Sequence, residues 1–242
     1  MKKKIKVLLI SQFFWPESFP INLIIKNFKE IKYTIITAKP NYPEGIIFQN
    51  YKKKGPIKEN YYNHTIYHMP VIARGSGNSF KLFLNYLTFI LSSIYFGTKY
   101  IKKEKFDVIF VYNTSPITQI LVGYYFKKIF KVKLVSWIQD IWPESVSATN
   151  HIKENFLFNI FRKFCHYIYN YNDILILQSK NFFKYFKKYK INIKKIYIPN
   201  SANIHLIKKK IANINLKKNL NITLCMQEIL VKHKILKILK FF

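Results

Sequence analysis

Hydrophobic residues follow two alternating patterns along most of the chain. Short, continuous apolar runs alternate with longer segments in which apolar residues recur every three or four positions. The first pattern is typical of parallel strands buried on both faces, and the second is typical of helices with one buried face. Their alternation predicts an α/β fold with a doubly wound, Rossmann-like parallel sheet.

The predicted elements follow one another in a regular order. The apolar runs predict strands at 5–11, 33–37, 64–70, 107–112, 133–136, 173–177 and 195–198. The helical patterns lie at 20–30, 79–103, 117–130, 151–171 and 180–190, and Ser179 is the expected N-cap of the last. Unusual polar and aromatic residues gather in the loops after the strands, and such sheets bind ligands at that edge.

The segment 137–145 carries the densest candidate chemistry, with the sequence Trp-Ile-Gln-Asp-Ile-Trp-Pro-Glu-Ser. Asp140 and Glu144 are poorly explained by core packing, because carboxylates are rarely buried without partners. They are candidate site residues, together with Trp142. Structural roles are the alternative: Asp140 could cap a turn or helix, and Trp142 could fill the space under the loop. Glu144 could begin a helix, whose macrodipole favours a carboxylate in the first turn.

Other loops after strands supply further candidates. Glu17 follows the first strand in a loop without glycine, so close backbone contact with a phosphate is not expected there. Asn41 and Tyr42 follow the second strand, where turn formation alone would also explain an Asn-Tyr-Pro sequence. The strands at 107–112 and 195–198 are followed by Asn113, Ser115 and Asn200.

The histidines and cysteines indicate no metal site. We find no metal-ligand spacing among His64, His68, His151 and His166, and we interpret these four as structural or surface residues. Cys165 and Cys225 are far apart in sequence, which suggests neither a disulfide framework nor a metal cluster. The basic start of the chain could mimic a signal peptide, but its apolar run is short and no small-residue cleavage site follows. A cytoplasmic setting is the default expectation.

The chain is strongly basic, with a formal net charge of +30. Nucleic-acid binding is not favoured, because only Arg74 and Arg162 are arginine and specific readers of bases depend on the bidentate arginine fork. Lysine, isoleucine, asparagine, phenylalanine and tyrosine all have A/T-rich codons, so genome base composition accounts for much of the charge. The remaining consequence is attraction to anionic lipid, at about 1 kcal/mol per well-placed lysine.

The segment 79–103 is nearly long enough and apolar enough to span a bilayer. Polar and small residues interrupt it, and a spanning helix at this point would split the sheet. We expect a helix that packs partly on the sheet and partly against the membrane interface. An ordinary buried helix is the alternative. Lysines lie at the end of the segment, at Lys99, Lys102, Lys103 and Lys105.

Five segments, in order, resemble a bacterial family 4 glycosyltransferase of the GT-B fold. The similarity is closest to the surface-polysaccharide enzymes that build O-antigen and capsule repeat units. The first four segments are 11–17 (Ser-Gln-Phe-Phe-Trp-Pro-Glu), 37–45 (Thr-Ala-Lys-Pro-Asn-Tyr-Pro-Glu-Gly), 111–116 (Val-Tyr-Asn-Thr-Ser-Pro) and 137–145. The fifth is 198–200 (Ile-Pro-Asn), which resembles the segment just before the family's second domain.

The resemblance implies an enzyme with two Rossmann-like domains and an active site between them. Residues 1–204 would form the N-terminal domain, which binds a lipid-linked saccharide acceptor, and a C-terminal domain would bind the nucleotide-sugar donor. Transfer would retain anomeric configuration without an obligatory enzyme nucleophile, cofactor or metal. Asp140 would contact the attacking hydroxyl or accept its proton. Trp142 would stack on a sugar, and the substrate site would also include Glu17, Asn41, Tyr42, Asn113, Ser115, Glu144 and Asn200.

Residues 205–242 depart from the family pattern, in which a strand and a glycine loop should follow. Read one frame over from the last base of the Leu224 codon, permitted codons can give Met-Tyr-Ala-Gly-Asn-Ile-Gly-Lys-Ala-Gln-Asp-Phe-Glu-Asn. We therefore expect a frameshift near Thr223 and Leu224, with a linker and an out-of-frame tail at 205–242. The donor domain would then be missing and the chain inactive in transfer.

A non-catalytic, membrane-associated binding module is the alternative function. It would use the same domain at an anionic membrane surface without the donor half. In either case, we expect the chain in the cytoplasm, at the inner face of the cytoplasmic membrane.

Overall fold

Eight strands form one sheet in the computed structural model, which describes residues 4–26, 28, 30–76, 78–150, 155–200, 231 and 233–239. The strand order is β3-β4-β2-β1-β5-β6-β7-β8. All neighbours pair in parallel except β3 and β4. The strands are β1 (Ile5–Ile10), β2 (Ile31–Ala38), β3 (Ile57–Tyr61), β4 (His64–Met69), β5 (Val108–Asn113), β6 (Lys133–Ile138), β7 (Ile174–Leu177) and β8 (Lys194–Tyr197).

Helices connect most of these strands, so the predicted doubly wound α/β fold is confirmed. A short 3-10 turn at Gln49–Tyr51 precedes β3. The helices are α1 (Pro20–Lys26), α2 (Ser79–Ile101), α3 (Gln119–Phe130), α4 (Glu144–Asn150), α5 (Phe156–Tyr169) and α6 (Lys180–Lys188), and residues 233–239 are also helical.

Two predicted boundaries are wrong, and one strand was not predicted. Strand β6 runs to Ile138, so Trp137 belongs to the sheet and its indole is fully buried. The single helix predicted at 151–171 starts at Phe156, and a separate helix, α4, precedes it; residues 151–154 lie outside the described ranges. Strand β3 was not predicted, because this edge strand is polar in its middle and its apolar signal is weak.

Right-handed crossovers determine which face of the sheet each helix covers. The connection from β1 to β2 moves one way across the sheet and places α1 on one face. The connections from β4 to β5 and onward to β8 move the other way, so α2, α3, α5 and α6 cover the opposite face. None of these four helices therefore covers the α1 face of β5, β6 and β7. The buried cluster on that face includes Val231, Ile235 and Leu239 of the C-terminal segment.

Helix α2 packs on the sheet through a narrow stripe in which every fourth residue is buried. This stripe consists of Asn85, Phe89, Ser93, Gly97 and Ile101. A Cβ atom on Gly97 would lie 2.7 Å from the Phe126 ring of α3, so this glycine permits the close approach of the two helices. The prediction of a helix packed partly on the sheet is confirmed.

The chain reverses its direction of travel across the sheet between β1 and β5. Their outgoing helices cover opposite faces of the sheet. A crevice at the carboxyl ends of the strands is the usual ligand site of such a sheet. The site described next lies along this edge.

Candidate functional site

A chain of buried hydrogen bonds ties the loops at the carboxyl edge together. The Gln12 backbone N–H donates to Gln119 Oε1 over 3.0 Å, and Gln12 Nε2 donates to Asn85 Oδ1 over 2.8 Å. Asn85 Nδ2 in turn donates to the Ile72 carbonyl over 2.6 Å. The loops after β1 and β4 are thereby fixed to α2 and α3. Buried side-chain networks of this kind restrict a site to few geometries.

Asp140 lies half-buried in the loop after β6 and is held from the loop after β5. Ser115 Oγ donates to Asp140 Oδ2 over 3.3 Å, and Trp142 Nε1 donates to Ser115 Oγ over 3.0 Å. Burial, reinforced by the Asp140 charge, raises the pKa of the neighbouring Tyr112 phenol. Asp140 is therefore a side chain positioned by a hydroxyl at the carboxyl edge of the sheet.

Buried polar atoms without partners concentrate at the same edge. Among the residues that the structure describes, neither amide atom of the Asn113 side chain has a hydrogen-bond partner, although Asn113 is fully buried. Thr114 Oγ1, Gln139 Nε2 and Gln12 Oε1 are in the same situation. An unsatisfied buried polar group costs about 1–3 kcal/mol, so such groups are uncommon unless water or a ligand supplies partners. The carboxyl edge of the sheet is therefore unusually polar beneath its surface.

Trp142 is packed into the protein rather than presented as an open platform. Its side chain is only 8% exposed, and its ring lies 6.4 Å from that of Tyr86 and 6.0 Å from that of Phe161, both edge-on. Its backbone N–H donates to the Tyr169 hydroxyl over 3.0 Å. This geometry favours the packing interpretation over stacking on a sugar face.

Glu144 is the first residue of α4, as the helix-start interpretation predicts. Its Oε1 atom accepts a hydrogen bond from Arg162 Nε over 2.9 Å, and Arg162 also donates to Asn159 Oδ1 over 2.6 Å. This ion pair ties α4 to α5. The observed role of the Glu144 carboxylate is thus to position the end of the Asp140 loop.

Glu17, Asn41 and Tyr42 form a second cluster on the other side of the edge. Glu17 Oε1 accepts the backbone N–H groups of Asn41 and Tyr42, each over 2.8 Å. Burial raises the pKa of Glu17 to about 7, although these hydrogen bonds oppose the shift. Asn41 is fully buried, whereas Tyr42 is 41% exposed and faces the surface. Glu17 and Asn41 shape the loop, and Tyr42 is the member that can touch a ligand.

Asn200 reaches this edge through a relay of side chains. Its Nδ2 atom donates to Gln178 Oε1 over 2.8 Å, and Gln178 Nε2 donates to the carbonyl of Gln139, the residue before Asp140. The predicted site residues therefore separate into two neighbouring groups. One surrounds Asp140 and includes Asn113, Ser115 and Asn200, and the other surrounds Tyr42.

Two residues at this edge were not among the predicted site residues. Tyr86 of α2 packs against Trp142, and Arg74 in the loop after β4 stacks over the Tyr42 ring, with 5.1 Å between Arg74 Cζ and the ring centroid. A polar Asn85 inside an apolar helix was the available signal for the first. The rarity of arginine in a lysine-rich chain, together with the following Gly75, was the signal for the second.

His64 and His68 occupy structural positions. His68 Nε2 lies 2.6 Å from Glu59 Oε1 between β4 and β3, and His64 Nδ1 accepts the Tyr33 backbone N–H over 3.3 Å. His151 lies outside the described residues. Within the described ranges, no group of three or more His, Cys, Asp and Glu residues could hold a metal ion.

No protein-family model matches the sequence, and no curated protein matches it. Solved structures do match. An α,α-trehalose-phosphate synthase (UDP-forming) from Burkholderia xenovorans, in complex with glucose-6-phosphate, is 11% identical with a TM-score of 0.54, covering 88% of this chain and 53% of that one. The corresponding synthase from Burkholderia multivorans is 11% identical with a TM-score of 0.53, covering 91% and 53%.

A plant enzyme gives a similar match. A UDP-glucosyltransferase from Polygonum tinctorium is 6% identical with a TM-score of 0.50, covering 82% of this chain and 52% of that one. The chain spans about half the length of each of these three structures. At such low identity the likeness concerns the fold alone. The chain has the Rossmann-like fold found in glycosyltransferases of the GT-B type.

Proposed function

We propose that this chain is the acceptor-binding, N-terminal half of a glycosyltransferase that transfers a sugar from a nucleotide-sugar donor to a saccharide. The observation that carries the proposal is the cluster of Asp140, Ser115 and Asn113 at the carboxyl edge of a GT-B-type sheet. It combines a positioned carboxylate with buried amide atoms that lack partners among the described residues. The matching structures are named as a UDP-forming synthase and a UDP-glucosyltransferase, which supports a nucleotide-sugar donor.

Asp140 acts in this proposal on the acceptor hydroxyl. As the hydroxyl attacks the anomeric carbon of the donor, the bond from that carbon to the nucleoside diphosphate breaks, and the diphosphate leaves with the bonding electrons. Asp140 accepts the hydroxyl proton or holds it by a hydrogen bond, and Ser115 keeps the carboxylate oriented. The Asn113 side chain has no exposed surface, so its role in this proposal is to shape the site rather than to touch the acceptor. We propose retention of configuration, with no cofactor, metal or enzyme nucleophile. The donor half would be encoded in the reading frame displaced near residues 223–224, which lie outside the described residues.

We further propose that the acceptor is lipid-linked and that the enzyme is a family 4 member of O-antigen or capsule assembly. Helix α2 supports this by being apolar on its outer side: its exposed residues include Phe80, Phe83, Leu91 and Tyr95, while Asn85 and Ser93 face inward. Helix α5 adds an outer row of Phe156, Leu157, Ile160, Phe164 and Tyr167. Both helices begin near Trp142, which contacts Tyr86 of α2 and Phe161 of α5.

An apolar surface beside the acceptor site fits an enzyme that lies on the inner face of the cytoplasmic membrane. By length and composition, α2 is the one helix among the described residues that could cross a membrane. However, the strands before and after it, β4 and β5, belong to the same sheet. We therefore propose that α2 lies along the membrane surface rather than across the bilayer.

The experiment that tests the function is sugar transfer by the read-through protein that contains the displaced frame. Radiolabelled UDP-, GDP- and dTDP-sugars are supplied with bacterial membranes, and label in the lipid fraction is counted. We expect transfer from one donor, and the Asp140→Asn variant should lose about 100-fold or more, because general-base assistance contributes about that factor. Equal turnover by Asp140→Asn would remove Asp140 from the mechanism, and no transfer from any donor would contradict the proposed function.

A non-catalytic, membrane-associated module is the second candidate. The outer apolar rows of α2 and α5 favour it, because they would bind a membrane with or without a donor domain. A titration of the read-through protein with the same nucleotide sugars discriminates between the two. Donor binding supports the transferase, and membrane binding without donor binding supports the module.

A further inference from the structure

The loop after β4 is locked onto the loop after β2. The Gly75 backbone N–H donates to the Gly45 carbonyl over 2.9 Å, and a Cβ atom on Gly45 would lie 1.7 Å from the Gly75 carbonyl oxygen. Both glycines have positive φ, at 76° for Gly45 and 60° for Gly75. The Arg74 backbone N–H donates to Asn41 Oδ1 over 3.3 Å. The backbone of Arg74 is therefore held in place by a second, independent loop.

The Arg74 guanidinium lies over Tyr42 and between the two groups of site residues. Burial raises the pKa of Glu17 on one side and of Tyr86 on the other, and the positive charge of Arg74 opposes both increases. The salt bridges found among the described residues do not include Arg74. The guanidinium is held by the ring beneath it, and no described carboxylate lies within 4.0 Å of it. Such a guanidinium is available to bind an anion.

Lys81 brings a second positive charge to the same loop. Its Nζ atom lies 3.2 Å from the point that a Cβ atom on Gly75 would occupy. Lys81 is in the first turn of α2, where its backbone N–H donates to the N-cap Asn78, and that turn contains no acidic residue. A cation at a helix N-terminus is unfavourable, because the helix dipole is positive there. The salt bridges of the described residues do not include Lys81 either.

We propose that Arg74 and Lys81 form a subsite for a phosphate or diphosphate group at the same edge of the sheet as Asp140. A guanidinium, an ammonium and a helix N-terminus together suit a group with more than one negative charge, and arginine binds phosphate oxygens in a bidentate manner. Tyr86 and Trp142 connect this subsite to Ser115 and Asp140. The phosphate would thus anchor one end of the ligand while the attacking hydroxyl lies at the other.

The identification of this ligand as the acceptor rests on the proposed function, but phosphate binding itself does not. Two sources share the chemistry: a phosphate carried by a lipid, and a free sugar phosphate. Phe80 and Phe83 are exposed in the first turns of α2, next to the proposed subsite, and would contact the apolar chain of a lipid. The lipid-borne group and the free group are therefore compared as separate arms of the test.

The test measures binding to the complete 242-residue chain. Inorganic pyrophosphate is titrated by calorimetry, and vesicles of phosphatidylcholine with phosphatidic acid are titrated in parallel at constant ionic strength. The variants are Arg74→Gln and Lys81→Gln. Lys99→Gln is the matched control, because it removes the same charge from an exposed residue at the other end of α2. We expect Arg74→Gln to weaken binding about tenfold or more, Lys81→Gln about threefold to tenfold, and Lys99→Gln not at all.

Loss in both arms supports a subsite that takes either source, and loss confined to vesicles supports a lipid-borne phosphate. Equal binding by all variants and the parent chain in both arms would overturn the subsite. If circular dichroism shows that Arg74→Gln is misfolded, the comparison of Lys81→Gln with Lys99→Gln decides alone. These measurements involve no sugar transfer. They can therefore exclude the subsite while Asp140-dependent transfer is observed, and they can support the subsite when no such transfer is observed.

Discussion

At the scale of single residues, burial without full compensation distinguishes the site from the rest of the sheet edge. Asn113 is fully buried without side-chain partners among the described residues, and Glu17 is a carboxyl group that is only 3% exposed. Two backbone N–H groups stabilise the Glu17 carboxylate, yet desolvation outweighs them and raises its pKa to about 7. A pKa above the unfolded value means that ionising Glu17 costs folding free energy.

The sign of this effect gives a prediction. The folded chain binds the Glu17 proton more tightly than the unfolded chain, so stability should fall as the pH rises from about 4.5 to about 7. The Glu17→Gln variant keeps an acceptor oxygen but cannot ionise. It should therefore be more stable than the parent chain at pH 8, by a margin on the order of 3 kcal/mol, and differ little at pH 4.

Urea unfolding of both proteins at pH 4, 6 and 8 measures this difference. Glu44→Gln is the matched control, because Glu44 is exposed in the neighbouring loop and should leave the pH dependence unchanged. Parallel pH profiles for the parent chain and Glu17→Gln would show that Glu17 has an ordinary pKa.

At the scale of elements, α2 has an unusual distribution of side chains. Its buried stripe contains an asparagine, a serine and a glycine, while its exposed side carries large apolar residues. A helix that served only the core would have the opposite arrangement. The sequence pattern predicted the helix but not which side faced the sheet, because both sides contain apolar residues. The orientation depends on partners distant in sequence, such as Gln12 for Asn85 and Phe126 for Gly97.

The outer side of α2 should therefore bind anionic membranes. The double variant Phe83→Gln/Leu91→Gln removes two exposed apolar side chains, each worth about 1.5–3 kcal/mol if it is fully buried in a membrane. We expect the variant to bind phosphatidylglycerol vesicles at least about tenfold more weakly in a co-sedimentation assay, and its unfolding midpoint to stay unchanged. Ile46→Gln, at a 63% exposed position in the loop after β2, is the control. Vesicle binding equal to that of the parent chain would exclude α2 from membrane contact.

At the scale of the whole molecule, short-range patterns predicted the sheet, and long-range packing determined what they could not predict. The apolar runs of β1 and β5 were recognisable because both of their faces are buried. The end of β6 was placed too early, because Trp137 was attributed to the loop. Its indole instead donates to the Ile198 carbonyl, 61 residues away. The role of Arg74 depends equally on a distant loop, through Asn41.

The same topology explains why the C-terminal segment matters. Because none of α2, α3, α5 and α6 covers the α1 face of β5, β6 and β7, this face needs another apolar cover. Val231, Ile235 and Leu239 are spaced four residues apart, are at most 2% exposed, and share a buried cluster with Phe110 and the other residues on this face. Whatever reading frame produced residues 231–239, their helical spacing supplies that cover.

Substitution in this segment should therefore destabilise the whole domain. Ile235→Ala removes a side chain that is 1% exposed, and we expect a loss of about 2–5 kcal/mol in the free energy of unfolding. Ile238→Ala makes the same change at a partly buried position and should cost clearly less. Urea unfolding can be followed by tryptophan fluorescence, because one of the three tryptophans, Trp137, belongs to the same cluster. Equal midpoints for Ile235→Ala and the parent chain would mean that the segment does not cover the sheet in solution. The β5–β7 face would then be exposed and open to a different partner.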